Sequence, residues 1–419
     1  MIHKLQIFMH NILKKKTETN AGFKINNRGD CELLSELIFE KTSRNLSYNT
    51  IRRFFGLAKY MKPNKNTLDT LAKYNGYDNF NDFIIQNPYE NYWTIKEKLY
   101  HIVNSNKDEI IKFTNSQNYR NKDTIDILTT LCRELIHHNR LDALNEVLNA
   151  KIFNLNNFTY EEVLHFGNSV GVLFRNINTV DIELLLNINF LNFVYSIFVD
   201  YSNLSKYYGI WSEIVYKRSD NMQMKYFAYS ILQLKNYLEF KPIKPIEIRD
   251  IDYSNFHPIL IGRIVSIQIL NERKYDSLLV LNNTIADSKN DNIWDFLFEP
   301  IFIAMLSKDF LLMKKIIHLL KKQKRPIQFH HLKHQKLFEL MEIIYQKWNS
   351  KNTKLDEKIN SFNNFKFEYS YKEMLSIFVN IILYHTNSNK EIYLNNYMEI
   401  TEKFKYPLFN KEYILEYFD

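Results

Sequence analysis

Two Arg–His pairs in this chain share one spacing: Arg133 with His138 and Arg325 with His330, each R-x-x-x-x-H. Such a pair suits phosphoryl chemistry, the imidazole moving a proton at a hydroxyl while the guanidinium steadies developing negative charge. With 13 Arg and 12 His in 419 residues, chance alone supplies roughly 0.4 such pairs. Pro326 directly follows Arg325, which puts that arginine at or before a helix start. His330 and His334 stand four apart, the interval that places two metal-binding imidazoles on one helical face. No carboxylate or cysteine lies near them in sequence, and the surrounding lysines oppose a cation.

The other residues with chemical reach are cationic. Between 41 and 65 the chain carries Lys41, Arg44, Arg52, Arg53, Lys59, Lys62 and Lys65 without a single Asp or Glu. The whole chain holds 55 basic and 47 acidic residues, so this run is a local field, of the kind that attracts polyanions. A helix is expected from Tyr48 to Phe55, with Ser47 as N-cap and Gly56 as stop. At 100° per residue Ile51, Phe54, Phe55 and Ala58 share one side. Asn49 and Arg53 fall opposite, with Arg52 beside them and Tyr48 at the boundary. Such a face reads base edges or grips phosphates in a major groove; equally, it is the solvated side of an amphipathic helix.

The flanks supply the elements that would position this helix. Upstream, Asp30 is expected to cap a helix over 31–41 with Leu33, Leu34, Leu37 and Ile38 as its apolar stripe. Downstream, Pro63 lies in a loop and Asn66 or Thr67 caps a helix carrying Leu68, Leu71 and Ala72, ended by Gly76; Asp78 opens a further short one. Ahead of them, Leu5–Leu13 could serve as a leading helix, separated by a polar stretch, 14–30.

The run from Leu33 to Tyr77, about 45 residues, resembles the helix-turn-helix of the phage-repressor and Cro-like (XRE-type) family. The matching pieces are Ser47 to Gly56, then Pro63 and Thr67-Leu68-Asp69-Thr70-Leu71-Ala72-Lys73-Tyr74-Asn75-Gly76. The turn before Ser47 lacks the family's usual Gly and is a few residues longer, leaving Asn45 to supply any left-handed residue. The resemblance implies that Tyr48, Asn49, Arg52 and Arg53 face base edges of double-stranded DNA, and that Arg44, Lys59 and Lys62 meet phosphates.

Composition bounds the remainder. Only 8 Gly and 8 Pro occur in 419 residues, too few for a turn-rich sheet protein or for phosphate-cradling loops. No nucleotide-binding glycine loop, nucleophile elbow, H-E-x-x-H or paired C-x-x-C is present, so neither catalytic residues nor a cofactor nor a metal are expected. Two cysteines in no motif, and no apolar run near 18 residues, favour a reduced, cytoplasmic, membrane-free setting. Aromatic residues reach 15%, enough large apolar surface to pack many helices together.

Beyond a linker near 86–89 the chain reads as helix after helix. Apolar stripes occupy 125–136, 141–148, 159–174, 221–238, 256–270, 292–306, 308–320, 335–348, 371–384 and 391–404, with a proline-rich break at 241–258. Glu272 onward and Ser307 onward align at an offset of 35 residues, near the period of tetratricopeptide repeats. The fold expected is therefore all-α: a helix-turn-helix domain over 1–88, then a tetratricopeptide-like helical-repeat domain in two parts, 92–240 and 256–419. That architecture resembles the peptide-sensing regulators of Gram-positive bacteria. At the level of architecture it implies a homodimeric transcriptional regulator, without carrying over the ligand; stacked helical repeats form concave grooves, in which a peptide or protein ligand is expected. A protein-interaction scaffold is the alternative. The Arg–His spacing also resembles that of HEPN-type helical ribonucleases, as in toxin or phage-defence systems. A second acid-free basic run, from Lys314 to Lys336, is a further candidate for nucleic-acid contact.

Overall fold

The computed structural model describes all residues except 1, 60, 87–89, 120–122, 178–180, 247–250, 254, 273–280, 282–292, 323–330, 350–358 and 360–368. Every regular element among the described residues is helical, so the chain is all-α. Its contacts divide it into two units, Met1–Lys98 and Leu99–Asp419. The division falls inside the helix Glu90–Val103, ten residues beyond the boundary expected at 88.

Among the described residues the first unit holds the start of that helix and five complete ones: α1 (Ile2–Ala21), α2 (Arg28–Thr42), α3 (Tyr48–Phe55), α4 (Lys65–Tyr74) and α5 (Phe80–Gln86). Leu13, Leu34, Ile38, Ile51, Leu71 and Phe83 are among its fully buried centre. Several local expectations shift by a few residues. α2 begins at Arg28 because Asn27 is the cap and Asp30, at the third position, closes a capping box back onto it. Its buried stripe runs Cys31, Leu34, Ile38, whereas Leu33 is 47% exposed. The left-handed residue that ends α2 is Ser43 (φ 53°), not Asn45. Asn64 rather than Asn66 or Thr67 caps α4, and Thr67 is buried. Asn79 rather than Asp78 holds the first turn of α5, accepting from the Asp82 N–H.

α1 is the largest departure. It continues through Lys14–Ala21, read from sequence as a polar separator. Thr17 is wholly buried, its hydroxyl bonded to the Leu13 carbonyl and accepting from Asn75 Nδ2 at 2.8 Å. Asn20 Nδ2 donates to the Tyr74 carbonyl at 2.8 Å. Polar side chains of α1 thus satisfy the C-terminal end of α4, where helix carbonyls lack intrahelical donors.

In the second unit helices pack in pairs: Tyr207–Arg218 on Met222–Leu238, Pro258–Asn271 on Ile293–Leu306, and Tyr369–Thr386 on Lys390–Phe404. These and the helices Thr124–His137, Leu141–Leu148, Tyr160–Gly171, Phe310–Lys321 and His331–Asn349 cover the apolar stripes of the sequence. The helix Tyr207–Arg218, with its Gly209 and four aromatic residues, carried no clean stripe. Between Val172 and Asn203 the elements are short and irregular, with 3-10 turns and a π turn at Leu191–Tyr195. The aligned segment from Glu272 lies almost wholly outside the described residues.

Gly262 lets two of these helices meet at backbone distance. A Cβ there would stand 2.0 Å from the Phe296 carbonyl oxygen, a backbone atom that cannot swing aside. The abundant tyrosines also do more than fill space. Tyr413 and Tyr417 donate to the Leu306 and Met305 carbonyls at 2.8 and 2.6 Å, closing the C-terminus of Ile293–Leu306. Both cysteines, Cys31 and Cys132, are free and buried.

Candidate nucleic-acid interface

α3 forms over the expected residues, for local reasons. The Ser47 hydroxyl accepts from the Thr50 N–H, and Gly56, at φ 85°, ends the helix in the left-handed region that glycine enters without strain. Ile51 and Phe54 are buried and Phe55 half-buried. Ala58 lies beyond Gly56 and so does not extend that face as a helical residue. Asn49 and Arg53 are exposed, Arg52 and Tyr48 intermediate.

The four residues differ in what already holds them. Arg52 Nη1 lies 3.4 Å from Asn49 Oδ1, a long contact that aligns guanidinium and amide along the helix. The Tyr48 ring packs against the core on one side, and Arg28 sits 4.7 Å from its centroid on another. Arg53 carries no hydrogen bond or ion pair among the described residues, so its guanidinium is available to a ligand. Arg28 was missed in the sequence because it lies 20 residues upstream of Tyr48. Only the packing of α2 on α3 brings it to this face.

Arg44 is half-buried, with its backbone N–H bonded to Thr42 Oγ1 at 3.2 Å. Lys59 and Lys62 are exposed. Lys62 and Lys14 both act on His10, which α1 holds buried between the rings of Phe54 and Phe80. Desolvation first, then these two ammonium groups, push the His10 pKa below its ordinary value. The run that is acid-free in sequence is not so in space. Glu32 holds Arg28 at 2.8 Å on the edge of the same face.

The Arg–His pairs are placed differently. Arg133 is half-buried and gives Nη1 to the Ser169 carbonyl of a neighbouring helix, while His138 is exposed at a helix end. The described residues show no contact between them. Arg325 and His330 lie outside the described residues. His334 points into the interior, its Nδ1 3.3 Å from Asp295 and its ring 4.4 Å from that of Phe298. No group of three or more His, Cys, Asp or Glu able to hold a metal occurs among the described residues. In the second basic run, Lys321 is paired with Glu342 and Lys336 with Glu339. No helix among the described residues is long and apolar enough to cross a membrane.

Set against protein-family models, curated proteins and solved structures, the chain finds no match.

Proposed function

We propose that this chain is a sequence-specific DNA-binding regulator. Its first unit reads DNA through α3, and its second unit is a helical-repeat domain for sensing or dimerisation. One observation carries the reading. α3 is sealed to the core by Ile51 and Phe54 and turns Asn49, Arg52 and Arg53 outward from a capped, rigid turn of helix. Asn and Arg are the residues that pair bidentately with adenine and guanine edges. The α2–turn–α3 arrangement, with α4 and α5 behind it, supports a helix-turn-helix in which Arg44, Lys59 and Lys62 meet phosphates. Two copies would set the spacing of two half-sites.

Titration of the purified chain with duplex DNA at two salt concentrations tests the electrostatic part. With about six phosphate contacts, affinity falls roughly 10³-fold between 50 and 200 mM salt. A change of less than about 10-fold would contradict DNA binding through these cations.

A protein-binding role for the first unit is favoured by one observation. Leu33 and Phe39 on α2 are 47% and 56% exposed, apolar side chains of the kind that contact another protein. In that reading the second unit is a scaffold and the basic face a solvated one.

A further inference from the structure

The second unit contains a cavity of about 390 Å³ that none of the foregoing uses. Val163, Phe227 and Leu260 give it a mainly apolar wall, and Gln223 and His257 contribute polar groups. Its one formally charged lining residue is Arg263, only 4% exposed. The cation does not sit there uncompensated. Nη2 donates to Glu299 Oε1 and to the Tyr201 hydroxyl, and the Tyr201 hydroxyl donates to Glu299 at 2.7 Å. Burial opposes the charge, but Glu299, Tyr201 and Tyr371 offset this and raise the guanidinium pKa above its ordinary value.

Among the described residues the hydrogen bonds of this guanidinium fall on Nη2 alone. Nε is buried without a hydrogen-bond partner, and Nη1 forms none among the described residues. Phe227 lies 4.5 Å from the guanidinium carbon. Arg offers donors only, so what completes it must accept. Because Glu299 already neutralises the arginine, a carboxylate in the cavity would bring in a second, uncompensated buried charge. A neutral oxygen acceptor carries no such cost, and a volume of this size suits a small molecule.

We propose that this cavity binds a small, uncharged, mainly apolar molecule through a carbonyl-type oxygen that accepts from Arg263 Nη1. The site belongs to the second unit alone and stands whether or not the first unit binds DNA.

Calorimetric titration of the full chain with N-methyloctanamide, octanoate and octylamine tests it. The amide is expected to bind saturably at one site, octanoate at least about 10-fold more weakly, and octylamine not at all. Ser196→Phe, which fills the cavity from its wall, should abolish amide binding while the far-ultraviolet circular dichroism stays unchanged. Arg263→Ala risks the fold, so the donor is removed together with its partner as Arg263→Met/Glu299→Leu. That variant, once shown to be folded, should lose about 10-fold or more in amide affinity. The proposal is overturned if the wild-type chain binds no amide, leaving water alone in the cavity. It is equally overturned if Ser196→Phe binds the amide undiminished, if the folded double variant retains full amide affinity, or if octanoate binds as tightly as the amide.

Discussion

Arg53→Ala should weaken binding to the cognate DNA by about 10- to 100-fold, the loss expected of one bidentate base contact. The geometry ranks this residue above its neighbours. Arg53 is exposed and free of partners within the described residues, whereas Arg52 already approaches Asn49 at 3.4 Å. Tyr48 is packed between the core and Arg28. Arg52→Ala and Tyr48→Phe should therefore cost less. The measurement is a fluorescence-anisotropy titration on cognate and scrambled duplexes, repeated at several salt concentrations. A base-reading Arg53 lowers affinity for the cognate duplex selectively. A phosphate-gripping one lowers both equally and reduces the salt slope by about one. Unchanged affinity on both duplexes would remove α3 from the interface.

The second large effect concerns folding. Glu299→Ala should cost about 3–5 kcal/mol, because it leaves the Arg263 guanidinium buried without its counter-charge. Burial of both partners is nearly complete, with Glu299 2% and Arg263 4% exposed, so bulk water screens little of the charge left behind. Arg263→Met/Glu299→Leu removes both charges and should recover most of that loss. Urea unfolding followed by far-ultraviolet circular dichroism compares the two. If the double variant is as unstable as the single one, packing rather than charge holds these helices together.

How far the sequence shows these features depends on where their causes lie. α3 was readable residue by residue because its cap, its apolar face and its terminating glycine all fall within ten positions, Ser47–Gly56. Several of the second unit's longer helices are readable as stripes for the same reason of local periodicity, whereas Tyr207–Arg218 is not. The sequence does not show the full length of α1, because Lys14–Ala21 carries polar residues whose partners, Tyr74 and Asn75, lie more than 50 positions away. Arg28 and Glu32, which shape the edge of the candidate interface, were invisible until α2 packed on α3. Arg263 gave no signal either. It is the one charged residue of the helix Pro258–Asn271, and its partners Tyr201 and Glu299 come from segments 62 and 36 positions away.

The central claim is that this chain recognises DNA sequence, and selection tests it most directly. The purified full chain is mixed with genomic DNA fragments at moderate salt, and the bound fraction is recovered and sequenced. Enrichment of a shared, two-fold symmetric sequence is the expected result, since two copies of α3 would read two half-sites. Recovery of no DNA, or of fragments with no sequence in common, would contradict it.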